Sequence, residues 1–375
     1  DHSPRAPSIV LDELLDHCEA RTVGARAAMV VQHPLQPFSP RYHDGRDPRL
    51  WRYETEATPI ASPGAPPGAT RSVNAVRTLS LTQLVTFWSH PAKWYCNEVL
   101  RFWLPSDLDV GSDDETLVLD QMEHGIARAN LLQRALAGGA IAEDALRERM
   151  IAHGALGPGA LGAAQLTAIS AEVTEAIAGI DPAARRAPVE VRLHGAQWEL
   201  SGSLDGIFGD VRYIVRGNSL AADRHIRALV EHLVMCAAAE QPGATVPTRT
   251  LIRYGKNGKR LELVLERVAG AMQVLEQWID ALAAATVAPP AFFPAAGIAW
   301  YETITSEKKG AGDPYAKALD AFEREGFKGA DGDAFDPYVR TLFRDDVSLS
   351  THRGEFERLA SLLFSPFNTR AGARR

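Results

Sequence analysis

Apolar positions along the chain switch between helical and strand spacing. Between residues 8 and 33, the stretch "SIVLDELLDHCEA" puts Leu11, Leu14, Leu15 and Cys18 on one helical face, with Ser8 or Asp12 placed to cap it. The apolar run "AAMVVQH" after it has the length of a strand. "LTQLVTFWSHPAKWYCNEVLRFW" has helical composition but contains Pro91, which cannot donate to a helix ladder and disfavours a helical residue before it. Two short helices are therefore expected, with Pro91 in the first turn of the second. Leu84, Phe87, Trp88, Trp94, Tyr95 and Leu100 make this the most aromatic stretch and predict a buried helix pair. Residues 117–183 are rich in Ala and Leu and read as helix, broken by the turn "HGALGPGALG". From 188 to 216 the period drops to two in "VEVRLHGAQWELSGSLDGIFGDVRYIVR", which predicts several antiparallel strands with tight turns. Helix returns over 221–239, and "TRTLIRYGKNGKRLELVLERV" predicts a hairpin turning at Asn257-Gly258. A helix near 268–285 and shorter helices up to about Leu363 follow, and the Arg-rich end "NTRAGARR" is expected to fray.

Helices, then an antiparallel sheet, then a helix laid after it make an α/β or α+β domain. The segment "ETEATPIASPGAPPGATRSVNA", residues 54–75, has few large apolar groups to offset its ordering entropy and reads as a linker or surface loop. A chain of 375 residues has room for two or three domains. Hydrophobic residues at 46% and charged residues at 23% place it among soluble globular proteins. No run of eighteen apolar residues occurs, so no membrane span is expected. The chain opens Asp1-His2-Ser3-Pro4 without an initiator Met, as expected of a fragment of something longer, with a processed protein the alternative. A net charge of −7 argues against a wholly basic nucleic-acid coat but permits a local basic groove. Cys18, Cys96 and Cys236 form no CxxC pair. A zinc ribbon or iron–sulfur cluster therefore lacks a signature, and a reducing, cytoplasmic setting with buried thiols is expected.

The chain has no GxxxxGK[ST] loop, no HExxH and no GxSxG, and its eleven histidines show no metal-ligand spacing. No catalytic residue, metal or cofactor is expected from these patterns. A Mg²⁺-dependent phosphodiesterase needs carboxylates to grip the ion and usually a lysine to orient the nucleophile. A common layout puts one Asp at a strand end and an acid and a Lys two positions apart on the neighbouring strand. Asp205 fits the first place, but Val215 and Gly217 fall at the other two. Asp205 then either remains from such a site or shapes the turn before Gly206. An active site rearranged around Asp205 with Asp210 or Asp223 is the alternative. The hairpin carries Arg249, Arg253, Lys256, Lys259 and Arg260, a concentration of cations suited to DNA phosphates and equally to a solvated hairpin tip.

Four stretches resemble the C-terminal region of the RecC family, the gamma subunit of exodeoxyribonuclease V in RecBCD helicase–nucleases. They are "SIVLDELLDHC" with "HPLQPFSPRY"; "LTQLVTFWSHPAKWYCNEVL"; "GSLDGIF" continuing through "YIVRGNSLAADRHIRALVEHLVMCAA"; and "PPAFFPAAGIAWYE" with Asp313-Pro314-Tyr315. The resemblance implies that residues 1–53 end a helicase-like region and that 76–375 form an inactive nuclease-like domain of the restriction-endonuclease-like fold. Gly202-Ser203-Leu204-Asp205 matches the Gly-x-Ile-Asp strand of catalytic relatives, whereas Val215-Arg216-Gly217 departs from their Asp-Tyr-Lys. His90 stands where some relatives carry an iron–sulfur Cys. The implied role is non-catalytic: docking RecB-like and RecD-like subunits, splitting a DNA fork and guiding double- and single-stranded DNA, in double-strand break repair and recombination. With most of the helicase-like region missing, recognition of the Chi sequence is not expected of this chain alone. A protein-interaction module without DNA contact is the remaining expectation to weigh.

Overall fold

The computed structural model describes residues 8–34, 39–42, 46–50, 77–104, 119, 121–139, 144–152, 156, 159–217, 219–256, 259–306, 312–326, 331–344 and 347–367. The expected linker, the Asn257-Gly258 turn and the frayed end lie outside them. The chain forms two units, Asp1–Ala69 and Thr70–Arg375.

In the first unit, α1 (Ile9–Arg21) begins where the Ser8 hydroxyl accepts the Leu11 N–H at 3.4 Å. The strand expected in "AAMVVQH" is instead helix over α2 (Ala25–Met29), which gives way to irregular backbone from Val30. The Glu19 carboxylate accepts the N–H groups of Gly24 (2.7 Å) and Arg26 (2.8 Å), satisfying donors that a helix start otherwise leaves free. Leu15 is buried, but Leu11 and Leu14 stay about half exposed, so the apolar face of α1 is covered only in part.

The second unit holds two small sheets. β1 (Arg77–Ser80), β2 (Val189–His194) and β3 (Trp198–Leu204) form the first, in the order β1-β3-β2. β4 (Ile207–Phe208), β5 (Val211–Val215), β6 (Thr250–Lys256) and β7 (Lys259–Leu265) form the second, in that order. The period-two stretch does make antiparallel pairs, β2 with β3 and β4 with β5. It does not make one antiparallel sheet, because the ladder breaks at Asp205-Gly206 and each half pairs in parallel with a distant strand, β3 with β1 and β5 with β6. Parallel partners come from remote parts of the chain, so local periodicity carries no trace of them.

Helices α3 (Leu81–Ser89) and α4 (Pro91–Trp94) meet at His90, with Pro91 opening the second as expected. A π-helical segment, Tyr95–Leu100, continues α4. The Ala-rich region folds into α5 (Gln121–Leu136), α6 (Asp144–Ala152) and α7 (Gly159–Ala176). α8 (Ala222–Ala239) is the crossover between β5 and β6, and α9 (Ala271–Ala284), α10 (Pro294–Ile304), α11 (Pro314–Glu323), α12 (Pro337–Phe343) and α13 (Arg353–Phe364) complete the unit. α8 is buried over most of its surface, His225, Glu231 and His232 included, because α3, α9, α10 and β2 pack around it. Its core includes Trp88 against Trp278, with ring centroids 5.3 Å apart, and Tyr301 stacked on Phe364 at 4.6 Å. A second apolar cluster joins α5 and α7 to Phe208 and Val215, so β5 is covered on both faces. Cys96 and Cys236 are buried as expected, and Cys18 is partly exposed.

Candidate nucleic-acid interface

Asp205 sits at the break between β3 and β4, on a turn that Gly206 makes possible. Gly206 has φ +80°, its carbonyl accepts the Tyr213 N–H at 2.8 Å, and an added Cβ would lie 2.7 Å from the Tyr213 carbonyl oxygen. The Asp205 carboxylate takes two hydrogen bonds from Arg185 Nη2, at 3.2 and 3.3 Å, and one from the Gly206 N–H at 2.6 Å. Its backbone carbonyl accepts Arg212 Nε at 2.9 Å. This carboxylate is therefore neutralised by a guanidinium and shapes its own turn.

The two positions opposed to it in the nuclease-type layout hold no oxygen ligand. Val215 is buried in the apolar cluster with α5 and α7. A Cβ added to Gly217 would run into the Arg128 guanidinium, with Cζ at 2.6 Å. Arg128 reaches there from α5 while Nη1 donates to Glu172 on α7 at 2.8 Å. The Glu172 carboxylate also lies 3.6 Å from His124 Nε2. Asp210 and Asp223, the other acids weighed for a rearranged site, are exposed on the β4–β5 turn and in the first turn of α8. Among the described residues, no three His, Cys, Asp or Glu side chains are grouped to hold a metal ion.

The hairpin cations are placed unequally. Arg253 Nε pairs with Glu262 across the strands at 2.8 Å, and its Nη1 donates to the carbonyls of Ala176 (3.3 Å) and Ala178 (2.7 Å). Arg260 donates to the Glu172 carbonyl at 2.6 Å and pairs with Glu175 at 3.4 Å. Arg253 closes the C-terminal end of α7, where carbonyls run out of helical partners, and Arg260 ties down the turn before it. Arg249 pairs with Glu266 at 3.2 Å, both exposed. Lys259 is exposed and has no partner among the described residues. Lys256 ends β6 opposite Lys259, and its side chain lies outside the described residues. Among the described side chains of the hairpin, Lys259 is thus the cation without an anionic partner.

The family model described as RecC C-terminal domain matches residues 76–305, from the start of β1 to the end of α10. The chain belongs to the RecC family. RecC is a subunit of the RecBCD complex of DNA repair and recombination, and the match bears out the resemblance over the stretches that lie within residues 76–305. No curated protein matches the chain. No helix among the described residues is long and apolar enough to cross a membrane.

Within this RecC domain, several site residues escape a reading of the sequence. Arg185 and Arg128 give no local signal, because each meets its partner only through the packing of another element. Arg212 is 6% exposed and donates from Nη2 to Glu231 of α8 at 2.6 Å, while Arg227 Nε meets the other oxygen of Glu231 at 2.8 Å. The Arg227–Glu231 spacing of four residues is visible in the sequence, but the buried Arg212 that gives it weight is not.

Proposed function

We propose that this chain is a non-catalytic part of a RecBCD-type helicase–nuclease that helps split DNA at a fork, guides the strands and docks RecB-like and RecD-like subunits. Residues 76–375 act as a nuclease-like domain without its chemistry, and 1–53 as the end of a helicase-like region. The observation that carries this reading is the filling of the nuclease-type pocket. Val215 sits in an apolar cluster, Arg128 covers Gly217, and Asp205 is held by Arg185. A hard cation needs several anionic or carbonyl oxygens at once, and this arrangement offers guanidinium groups instead. The hairpin cations Arg249, Arg253, Lys256, Lys259 and Arg260 remain the candidate DNA contacts, with Lys259 the most available of those described. DNA contacts of this kind position a strand without reading its sequence.

The test is incubation of the chain with Mg²⁺ and labelled forked DNA. Binding without cleavage is expected, and cleavage that Asp205→Ala abolishes would overturn the reading. Capture by a RecD-like subunit with no affinity for DNA in any form would reduce the function to protein docking alone.

A further inference from the structure

A cluster of arginines outside the hairpin lies between β5 and α8. Because β6 runs parallel to β5, the connecting α8 must return antiparallel to both. Arg212 and Ile214 share one side of β5 by alternation, and Arg216 follows the last residue of the strand, its N–H still donating to the Arg253 carbonyl of β6 at 2.7 Å. At the lower level of this side, Arg212 and Arg227 share the carboxylate of Glu231. Arg216 lies four residues further, about 13 Å along an extended backbone. Arg224 lies seven residues before Glu231, about 10 Å back along the helix. The two unshared arginines therefore arrive at the same level, where β5 ends and α8 begins. Neither guanidinium has a hydrogen-bond or ion-pair partner among the described residues, and both residues reach solvent. Partial burial and the positive charges of Arg224 and Arg227 hold the Arg216 guanidinium below its usual pKa, as expected of cations packed together without enough anions. Four arginines here face two acids, Glu231 and Asp223.

We propose that Arg216 and Arg224, with Arg227 beside them, form a second contact for the phosphodiester backbone of DNA, separate from the hairpin tip. Guanidinium groups present paired donors that match phosphate oxygens, and unpaired ones at one level suit a repeating anion. The start of α8 has no side-chain cap, so its free N–H groups point the same favourable polarity outward. The inference rests on the reading that the chain meets DNA, and it adds residues that reading does not use.

The experiment is fluorescence anisotropy of labelled forked DNA against the full 375-residue chain at several salt concentrations. Arg216→Ala with Arg224→Ala is expected to weaken binding about tenfold and to reduce the salt slope by about 2. Arg224→Glu is expected to weaken it at least as much with an unchanged unfolding midpoint, since an acid in the first helical turn suits the helix dipole. If Lys259→Ala lowers affinity while the arginine variants leave affinity and slope unchanged, this inference falls and the proposed function stands. If the unaltered chain binds no DNA at low salt, both fall. If polyglutamate binds through the same arginines more tightly than DNA, the surface belongs to an acidic protein partner and the inference is overturned.

Discussion

Two residues carry more of the local geometry than their size suggests. Gly206 adopts a backbone conformation that L side chains avoid, and the Tyr213 carbonyl occupies the space of a Cβ. Gly206→Ala is expected to lower stability by about 1–3 kcal/mol, read by chemical denaturation. Among the described residues, Glu231 is the one acid bonded to the buried Arg212, and the Nη1 of Arg212 has no hydrogen-bond partner. Glu231→Gln leaves that guanidinium inadequately balanced and is expected to cost about 3–5 kcal/mol. Arg227→Ala removes only the exposed end of the same network and is expected to cost under about 1 kcal/mol. Equal effects from the two variants would mean that burial of Arg212 is not what matters. Asp205 itself was legible as a turn residue or a former ligand; its pairing with Arg185 was not, because Arg185 lies on another segment.

At the scale of elements, the hairpin β6–β7 and the helix α7 are one mechanical piece. Arg253 bonds the last carbonyl of α7 and the backbone just after it, and Arg260 bonds the Glu172 carbonyl within α7, so cations that suggest DNA also serve packing. The double variant Arg253→Ala with Arg260→Ala is expected to speed amide hydrogen exchange in the last turn of α7 and in β7. Lys259→Ala is expected to leave exchange unchanged and to lower the salt slope of DNA binding by about 1. A matched loss of exchange protection in both variants would assign the whole hairpin to structure. The amphipathic helices and the Pro91 break were legible because capping, proline geometry and periodicity act within a few residues. The α2 helix was not, since its donors are met by Glu19 from the preceding helix.

The whole molecule joins its buried ionisable groups to its response to acid. Burial pushes His225 and His232 down to about 4 from 6.5. Both are neutral in the fold, so their contribution is complete above pH 6.5 and is lost as pH falls through 4, on the order of 3 kcal/mol each. Asp333, which accepts the N–H groups of Ala295 and Ala296 at the start of α10, is pushed by burial up to about 6 from 3.8. Its charge weighs against the fold above pH 6, and that penalty is relieved as pH falls through 3.8, on the order of 3 kcal/mol in the opposite direction. Two histidines outweigh one carboxylate, so the unfolding midpoint is expected to fall between pH 6.5 and 4. His225→Phe is expected to flatten that fall, and a midpoint that rises on acidification would contradict the assignment of neutral buried histidines.

From the sequence alone came most element types, α2 excepted, with the Pro91 break, the family, and the lack of an acid at 215 and of a lysine at 217. These depend on residue identity and on spacing within a turn or a strand. Tertiary packing decided the rest: the parallel pairings of β3 with β1 and of β5 with β6, the Arg185 clamp on Asp205, the Arg128 plug over Gly217, and the meeting of Arg216 with Arg224. Such partners are far apart along the chain. They meet because apolar faces must be covered and buried charges must be matched, conditions that apply only once the elements are assembled.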